Sequence, residues 1–378
     1  MSIAILGFGV VGSGAYEILT KSGYEVKKVL DLRDFPELKD KLTSSIDDIL
    51  SDKEISVVIE AMGGLEPAHA YVVGALKAGK SVVTSNKYLM CTYYDELINL
   101  AKENGVTVRM GASVGGGIPW IHNLLRNSET DEITKVKGIM NGTTNYILDC
   151  MERKGQTFSE ALKVAQELGY AEREPSADID GLDVARKIAI SSSIAFKKRI
   201  KEEDVTVFSL RKIRDTDIKY AKEKLSRTVR YIGLAEKDGE DISVSVSPTL
   251  VKFDELEACV YENNNLISLY GSNSGRLSFY GQGAGKYPTG DTVALDAIEA
   301  VKGVKDMPEF SEGLEKSSKR SSGYFIRTSS GYKSAKFLSE EKIGADRYIL
   351  TDKLTAEEIK EIYKSLADED AFVAKKED

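Results

Sequence analysis

The sequence predicts an α/β protein: an N-terminal Rossmann-type parallel-sheet domain, then an α+β domain with a mixed sheet, then a small C-terminal βαβαβ unit. Three observations predict it. Short apolar runs alternate with stretches of helical spacing over the first 112 residues, as in a parallel sheet covered on both faces. Residues 227–279 instead read as successive alternating strands broken by Asp-Gly, Asn-rich and Ser-Gly turns. A polar Ser/Lys/Glu-rich stretch, 304–322, then separates off the last residues. The expected domains are 1–130, 131–303 (with the helix over 291–303 packing back on the first domain), a linker over 304–322, and 323–378.

Taken in order, 2–9 (SIAILGFG) is a buried-type strand. Residues 10–23 place Val11, Ala15, Ile18 and Leu19 on one helical face, and Gly23 stops the helix. VKKVLDL, ISVVIEAMG, SVVTSNK and VTVRMGA supply four more strands. Helical patterns lie between them at IDDILSD, PAHAYVVGALKAGK and DELINLAKENG. Further helices are expected at 145–154, 159–168 and 182–196. TVRYIGLAEK, DISVSVSPTLV, LISLYG and RLSFYG are strands. A glycine-rich loop, 281–290, leads into the helix DTVALDAIEAVKG. The tail reads GYFIRT strand, YKSAKFLSEEKI helix, DRYILT strand, TAEEIKEIYKSLAD helix, DAFVAK strand.

The formal charge of -8 argues against nucleic acid or anionic lipid as a partner, since both want a basic face. Three cysteines, Cys91, Cys150 and Cys259, lack metal-ligand spacing and suit a reducing compartment. No window approaches the roughly 18–20 apolar residues of a membrane span, and the N-terminus enters a strand directly. A cytoplasmic protein acting on a small molecule is expected.

Gly7-Phe8-Gly9-Val10-Val11-Gly12 is GxGxxG between a strand and a helix. Its glycines allow a tight turn, a close approach of pyrophosphate, and close helix–strand packing, and free helix-start amides hold the phosphates. NAD or NADP is the expected cofactor. Asp31, about 20 residues on, suits the ribose hydroxyl of NAD, whereas Arg33 suits a 2′-phosphate. Ser85 and Lys87 end the fourth strand, where open parallel sheets bind ligands. Lys87 there can face the nicotinamide half and a substrate carboxylate.

The run 169–187, GYAEREPSADIDGLDVARK, places Asp183 one helical turn before Lys187, with Glu172 and Asp178 in the preceding loop. With only two histidines, His69 and His122, a lysine positioned by carboxylates is the better proton donor. A surface i,i+4 ion pair reads the same way, and Asp180 and Asp183 also resemble helix-capping acids. His69 and His122 read as helix residues, and Trp120 as a packing residue.

GFGVVGSG, VVIEAMGG, VVTSNK, GASVGGGIP, GIMNGTTNYIL, LGYAEREPSADIDGLDVARK and FYGQGAG, in this order, make the chain resemble a homoserine dehydrogenase over 2–303. The resemblance implies reversible NAD(P)H-dependent reduction of L-aspartate 4-semialdehyde to L-homoserine, a step of threonine, methionine and isoleucine biosynthesis. It implies Lys187 as proton donor with Asp183 at the catalytic centre. It implies Glu172, Asp183, Asp178, Tyr170, Gly142, Thr143 and Lys87 around the substrate. Gly169, Glu172, Gly283 and Lys87 join the fingerprint at the cofactor, and a homodimer is expected. Such enzymes often hold a monovalent cation, typically sodium, through a glutamate and three backbone carbonyls. Those carbonyls map to Val114, Gly116 and Ile118, but the glutamate position is Gly111, which has no ligand side chain. The tail resembles a shortened ACT-type module, either an amino-acid sensor or a plain dimerisation appendage. Two alternatives stay open: another semialdehyde or amino-acid dehydrogenase on this scaffold, and a dinucleotide-sensing regulator without catalysis.

Overall fold

The computed structural model describes residues 2–311 and 319–377. It divides into two compact units, Met1–Thr130 with Gly281–Ser311, and Asp131–Tyr280 with Glu312–Asp378.

The first unit is a parallel sheet of β1 (Ser2–Leu6), β2 (Val26–Leu30), β3 (Leu42–Thr43), β4 (Ile55–Glu60), β5 (Ser81–Thr84) and β6 (Val108–Arg109). Its order, β3-β2-β1-β4-β5-β6, reverses direction between β1 and β4, which is where such sheets bind a dinucleotide. Helices α1 (Val10–Lys21), α2 (Asp47–Leu50), α3 (Ala68–Lys77), α4 (Lys87–Glu103) and α5 (Trp120–Ser128) lie between or after the strands. The chain returns to this unit with a helix over Lys286–Val301, which is α11 in chain order. It begins inside the stretch read as a glycine-rich loop. Ile3, Ile5, Leu19, Val29, Val57 and Ile59 share one apolar core with Val293 and Ala297 of α11.

In the second unit β7 (Ile133–Ile139) leads to α6 (Gly142–Lys154), α7 (Phe158–Glu167), α8 (Ser176–Ile179) and α9 (Leu182–Phe196). Then come β8 (Thr206–Val207), α10 (Asp215–Leu225), β9 (Arg227–Asp238), β10 (Asp241–Lys252), β11 (Asn264–Gly271) and β12 (Gly275–Gln282). The tail adds β13 (Gly323–Thr328), β14 (Phe337–Ile343), β15 (Asp346–Thr351), α12 (Ala356–Leu366) and β16 (Phe372–Lys376). The sheet is mixed: β9 and β10 are antiparallel, while β8 and β16 run parallel to β10.

Two expectations about the C-terminal part need correction. The stretch read as the tail's first helix, YKSAKFLSEEKI, holds the strand β14 instead, so the order is βββαβ and not βαβαβ. Its Ala, Lys and Glu favour helix locally, but an antiparallel pairing with β15 overrides that preference. The tail is also no free-standing unit, because β16 joins the large sheet directly beside β10. Of the expected linker, residues 312–318 lie outside the described residues. Its first part packs down: Tyr94 donates to the Pro308 carbonyl at 2.6 Å and stacks on Phe310. Among the described residues no helix is long and apolar enough to cross a membrane.

Candidate active site

In the first unit the turn after β1 is built as the fingerprint requires. Gly7 has φ +92°, and a side chain there would press on the Ala61 carbonyl oxygen at 2.9 Å. A Cβ on Gly12 would sit 1.9 Å from the Gly7 oxygen, so α1 can start only over glycine. Gly9 faces open space, and no side chain caps the first amides of α1, which leaves them free for an anion. Val10 is exposed and Val11 half-buried at this helix start.

Asp31 and Arg33 meet. The Phe8 amide donates to Asp31 Oδ2 at 2.7 Å, and the Arg33 guanidinium donates to both Asp31 oxygens at 3.0 and 2.9 Å. Arg33, reinforced by the backbone amides of Arg33 and Phe8, holds the Asp31 carboxyl well below the ordinary carboxylate range. The Arg33 side chain is 63% exposed and lies over the Phe35 ring, which itself packs on Phe8.

Ser85 is half-buried past the end of β5, and Lys87 is half-buried as the first residue of α4. Asn86 caps that helix through Leu89 N and donates to the Gly64 carbonyl at 2.6 Å. Glu60 is a residue that sequence reasoning missed. Fully buried at the end of β4, it accepts from Met62 N, Gly63 N and Thr84 Oγ1, and so fixes the loop beside the nucleotide turn. An acid closing an otherwise apolar strand was the available signal.

In the second unit Asp183 and Lys187 do pair one turn apart, and they are buried at 6% and 9% exposure. Lys187 Nζ donates to Asp183 Oδ2 at 2.8 Å and to the Met140 carbonyl at 2.7 Å. A surface ion pair would be neither buried nor tied to a distant carbonyl. Burial follows from Gly233 on β9: a Cβ there would stand 3.0 Å from Val184, so glycine lets α9 settle on the sheet. Asp180 is no cap of α9; the cap position is Gly181, and Asp180 binds Arg211 and Ser209.

Asn141, which the sequence places only in the loop matching the family's substrate pocket, has a further role. Its amide donates to Asp178 Oδ1 at 2.7 Å and to Asp183 Oδ2 at 2.8 Å, while its oxygen caps α6 through Thr144 N at 2.8 Å. One side chain thus gathers the two acids and orients the helix that starts with Gly142 and Thr143. Thr143 is buried and donates to the Tyr170 carbonyl. The Tyr170 ring packs edge-on against Tyr146, and Gly169 makes a left-handed turn at φ +75°. Glu172 is exposed, and its carbonyl accepts from Gln166 Nε2 at 3.0 Å. A cavity of about 460 Å³ in this unit, lined by Ser243, Ser245 and Lys375, contains none of these residues.

The residues of the expected cation cage do not fit one. A Cβ on Gly111 would stand 2.4 Å from His122 Cε1 and 2.8 Å from Asp296 Oδ2, leaving no room for a glutamate. The Gly116 carbonyl already accepts from Thr292 Oγ1 at 2.8 Å, and the Ile118 carbonyl from Trp120 N at 2.7 Å. His122, Asp296 and Glu299 cluster tightly, but the Arg109 guanidinium sits among them and binds both acids, which disfavours a metal ion. Gly283 lies in the same unit against Gly116. His69 is a helix residue paired with Glu66 and Glu96.

Two family models match the chain, "Homoserine dehydrogenase, NAD binding domain" over residues 7–110 and "Homoserine dehydrogenase" over 119–298. The homoserine dehydrogenase of Bacillus subtilis is 41% identical over 318 residues, covering 80% of this chain and 73% of its own. That of Synechocystis is 40% identical with the same coverage. The crystal structure of a homoserine dehydrogenase from Thiobacillus denitrificans superimposes with a TM-score of 0.87 at 28% identity, covering 100% of this chain and 98% of that one. A hyperthermophilic archaeal homoserine dehydrogenase in complex with NADPH gives 0.70 at 27% identity, covering 81% and 98%. The chain therefore belongs to the homoserine dehydrogenase family, NAD(P)-dependent oxidoreductases acting on a CH–OH group.

Proposed function

We propose that Lys187 is the proton donor of the homoserine dehydrogenase reaction in this chain. When bound, the nicotinamide supplies the hydride that reaches the aldehyde carbon of L-aspartate 4-semialdehyde. Lys187 Nζ gives its proton to the carbonyl oxygen, which becomes the hydroxyl of L-homoserine, and takes it back in the oxidative direction. One observation carries this role: an ammonium has three N–H donors, and two are engaged by Asp183 and the Met140 carbonyl. The fixed pair aims the third, so the donor is oriented before substrate arrives. Asp183 positions the lysine. Glu172 and Asp178 are the acids for the substrate ammonium, with Tyr170, Gly142 and Thr143 lining the pocket. Lys187→Ala should lower kcat by about 10²–10⁴-fold, with the dinucleotide dissociation constant nearly unchanged. Unchanged turnover would remove Lys187 from the mechanism.

The fingerprint, with Ser85, Lys87, Gly169, Glu172 and Gly283, holds the cofactor in this reading, and its side chains favour NADPH. Asp31 is neutralised by its own chain, whereas Arg33 remains exposed for a 2′-phosphate. Arg33→Ala should reduce kcat/KM for NADPH about tenfold and leave NADH little changed. A homodimer through the mixed sheet should appear in sedimentation as twice the 41.5 kDa chain mass. Function within the cytoplasm accords with the three free cysteines.

A further inference from the structure

We infer that in this chain helix α11, through Thr292 and Asp296, does the work a monovalent cation does in a cage of backbone carbonyls, and that turnover is indifferent to which monovalent salt is present. Thr292 and Asp296 lie one helical turn apart on one face of α11, and both are buried. They grip the turn from Gly111 to Ile118 at two points, Gly111 and Gly116. Asp296 Oδ2 accepts the Gly111 amide at 2.8 Å, and Thr292 Oγ1 donates to the Gly116 carbonyl at 2.8 Å. The first bond occupies the space that a side chain at position 111 would need. The second engages a carbonyl that a cation would want.

Charge argues the same way. Asp296 Oδ1 accepts from Arg109 Nε at 3.1 Å and lies 2.8 Å from His122 Nε2, and Arg109 also binds Glu299 and Asp306. The Arg109 charge offsets part of this acidic cluster, and Asp296 is already engaged by Arg109, His122 and the Gly111 amide, so its oxygens are committed before a cation arrives. The turn matters because it is packed on cofactor-side backbone. A Cβ on Gly116 would reach within 2.3 Å of the Gly283 carbonyl oxygen, and the Gly117 amide donates to the Gln282 carbonyl at 3.1 Å. Thr292 and Asp296 are therefore positioning residues for the Gly283 stretch.

The test uses the whole enzyme stripped of sodium and potassium, then assayed in NaCl, KCl and choline chloride at equal ionic strength. Homoserine oxidation and the unfolding temperature are expected to be the same in all three. Saturable activation by sodium or potassium, with a rise in unfolding temperature, would overturn the inference. Asp296→Asn and Thr292→Val should each raise KM for the dinucleotide about tenfold with a smaller change in kcat, and Thr292→Ser should restore it. Restoration of either variant by sodium would also overturn it. Should Asp296→Asn not fold, Thr292→Val leaves the ion network whole and gives the same readout. The assay rests on the proposed function. The unfolding comparison does not, so loss of homoserine oxidation in every salt would strike that function and leave this inference to be judged by unfolding.

Discussion

Asn141 shows how much of the candidate site hangs on one uncharged side chain. It bridges Asp178 and Asp183 while capping the helix that carries Gly142 and Thr143. Asn141→Ala removes the cap and takes a donor from the buried Asp183 and the half-buried Asp178. Urea unfolding should show a loss of about 1–2 kcal/mol, and kcat should fall with it. Asp31 makes a pH prediction at the same scale. Its carboxyl titrates lower in the folded chain than in the unfolded one, mainly because of Arg33. Its stabilising contribution is therefore complete above the ordinary aspartate pKa and is lost as pH falls from there toward the depressed value. Scans of unfolding temperature against pH should be flatter in that acid range for Asp31→Asn than for the native chain. Sequence spacing placed Asp31 beside Arg33 but set them in competition; the fold makes them partners. The signal for Lys187 and Asp183 was their i,i+4 spacing, which equally describes a solvated pair. Burial under the α9–β9 contact separates the two, and spacing carries no information about burial.

At the scale of elements, the close approach of α1 and α11 sets the nucleotide turn. A Cβ on Gly14 would come within 2.2 Å of the Lys286 carbonyl oxygen, and one on Gly290 within 2.9 Å of Ala15 N. Gly14→Ala should destabilise the protein by about 1–3 kcal/mol in denaturant titrations, because backbone must shift. Weaker dinucleotide binding should accompany it, since α1 presents the phosphate-binding amides. Both helices could be read from apolar periodicity, whereas their contact could not: the glycines concerned are nearly 280 positions apart in sequence and announce nothing locally. β14 shows the opposite failure. Its Glu340, Glu341 and Lys342 resemble a helix surface, yet they sit on a sheet edge, where charge blocks further strand pairing. Glu340 binds Arg347, and Glu341 binds Lys224 and Tyr220, which fixes the strand from outside its own sequence.

At the scale of the whole molecule, the C-terminal strands are an extension of the second unit's sheet. Thr249 pairs with Lys375 and Leu250 with Lys376, and Phe208 packs into a core built from Tyr324, Ile326, Ile349 and Val373. Arg327 reaches back to the buried Asp217 at 2.7 Å. Truncation after residue 311 would leave that carboxylate unpaired and uncover the apolar cluster. Breaking a buried pair alone costs about 3–5 kcal/mol, so the truncated chain should show low soluble yield and a clearly reduced unfolding temperature. A detachable appendage would come away without either effect.

By itself the sequence determined the alternating first unit, the glycine turn after its first strand, and the family, and it singled out the ammonium and carboxylates proposed for the site. Each of these is written in local spacing or in contiguous motifs. Only the tertiary structure decided that Lys187 is buried and tied to Met140, that Asn141 and Glu60 organise the loops, that Asp296 takes the place of a side chain at position 111, and that the tail completes a sheet. All four depend on contacts between residues far apart in the chain, where burial and charge compensation are properties of the packed molecule and leave no periodic trace in the sequence.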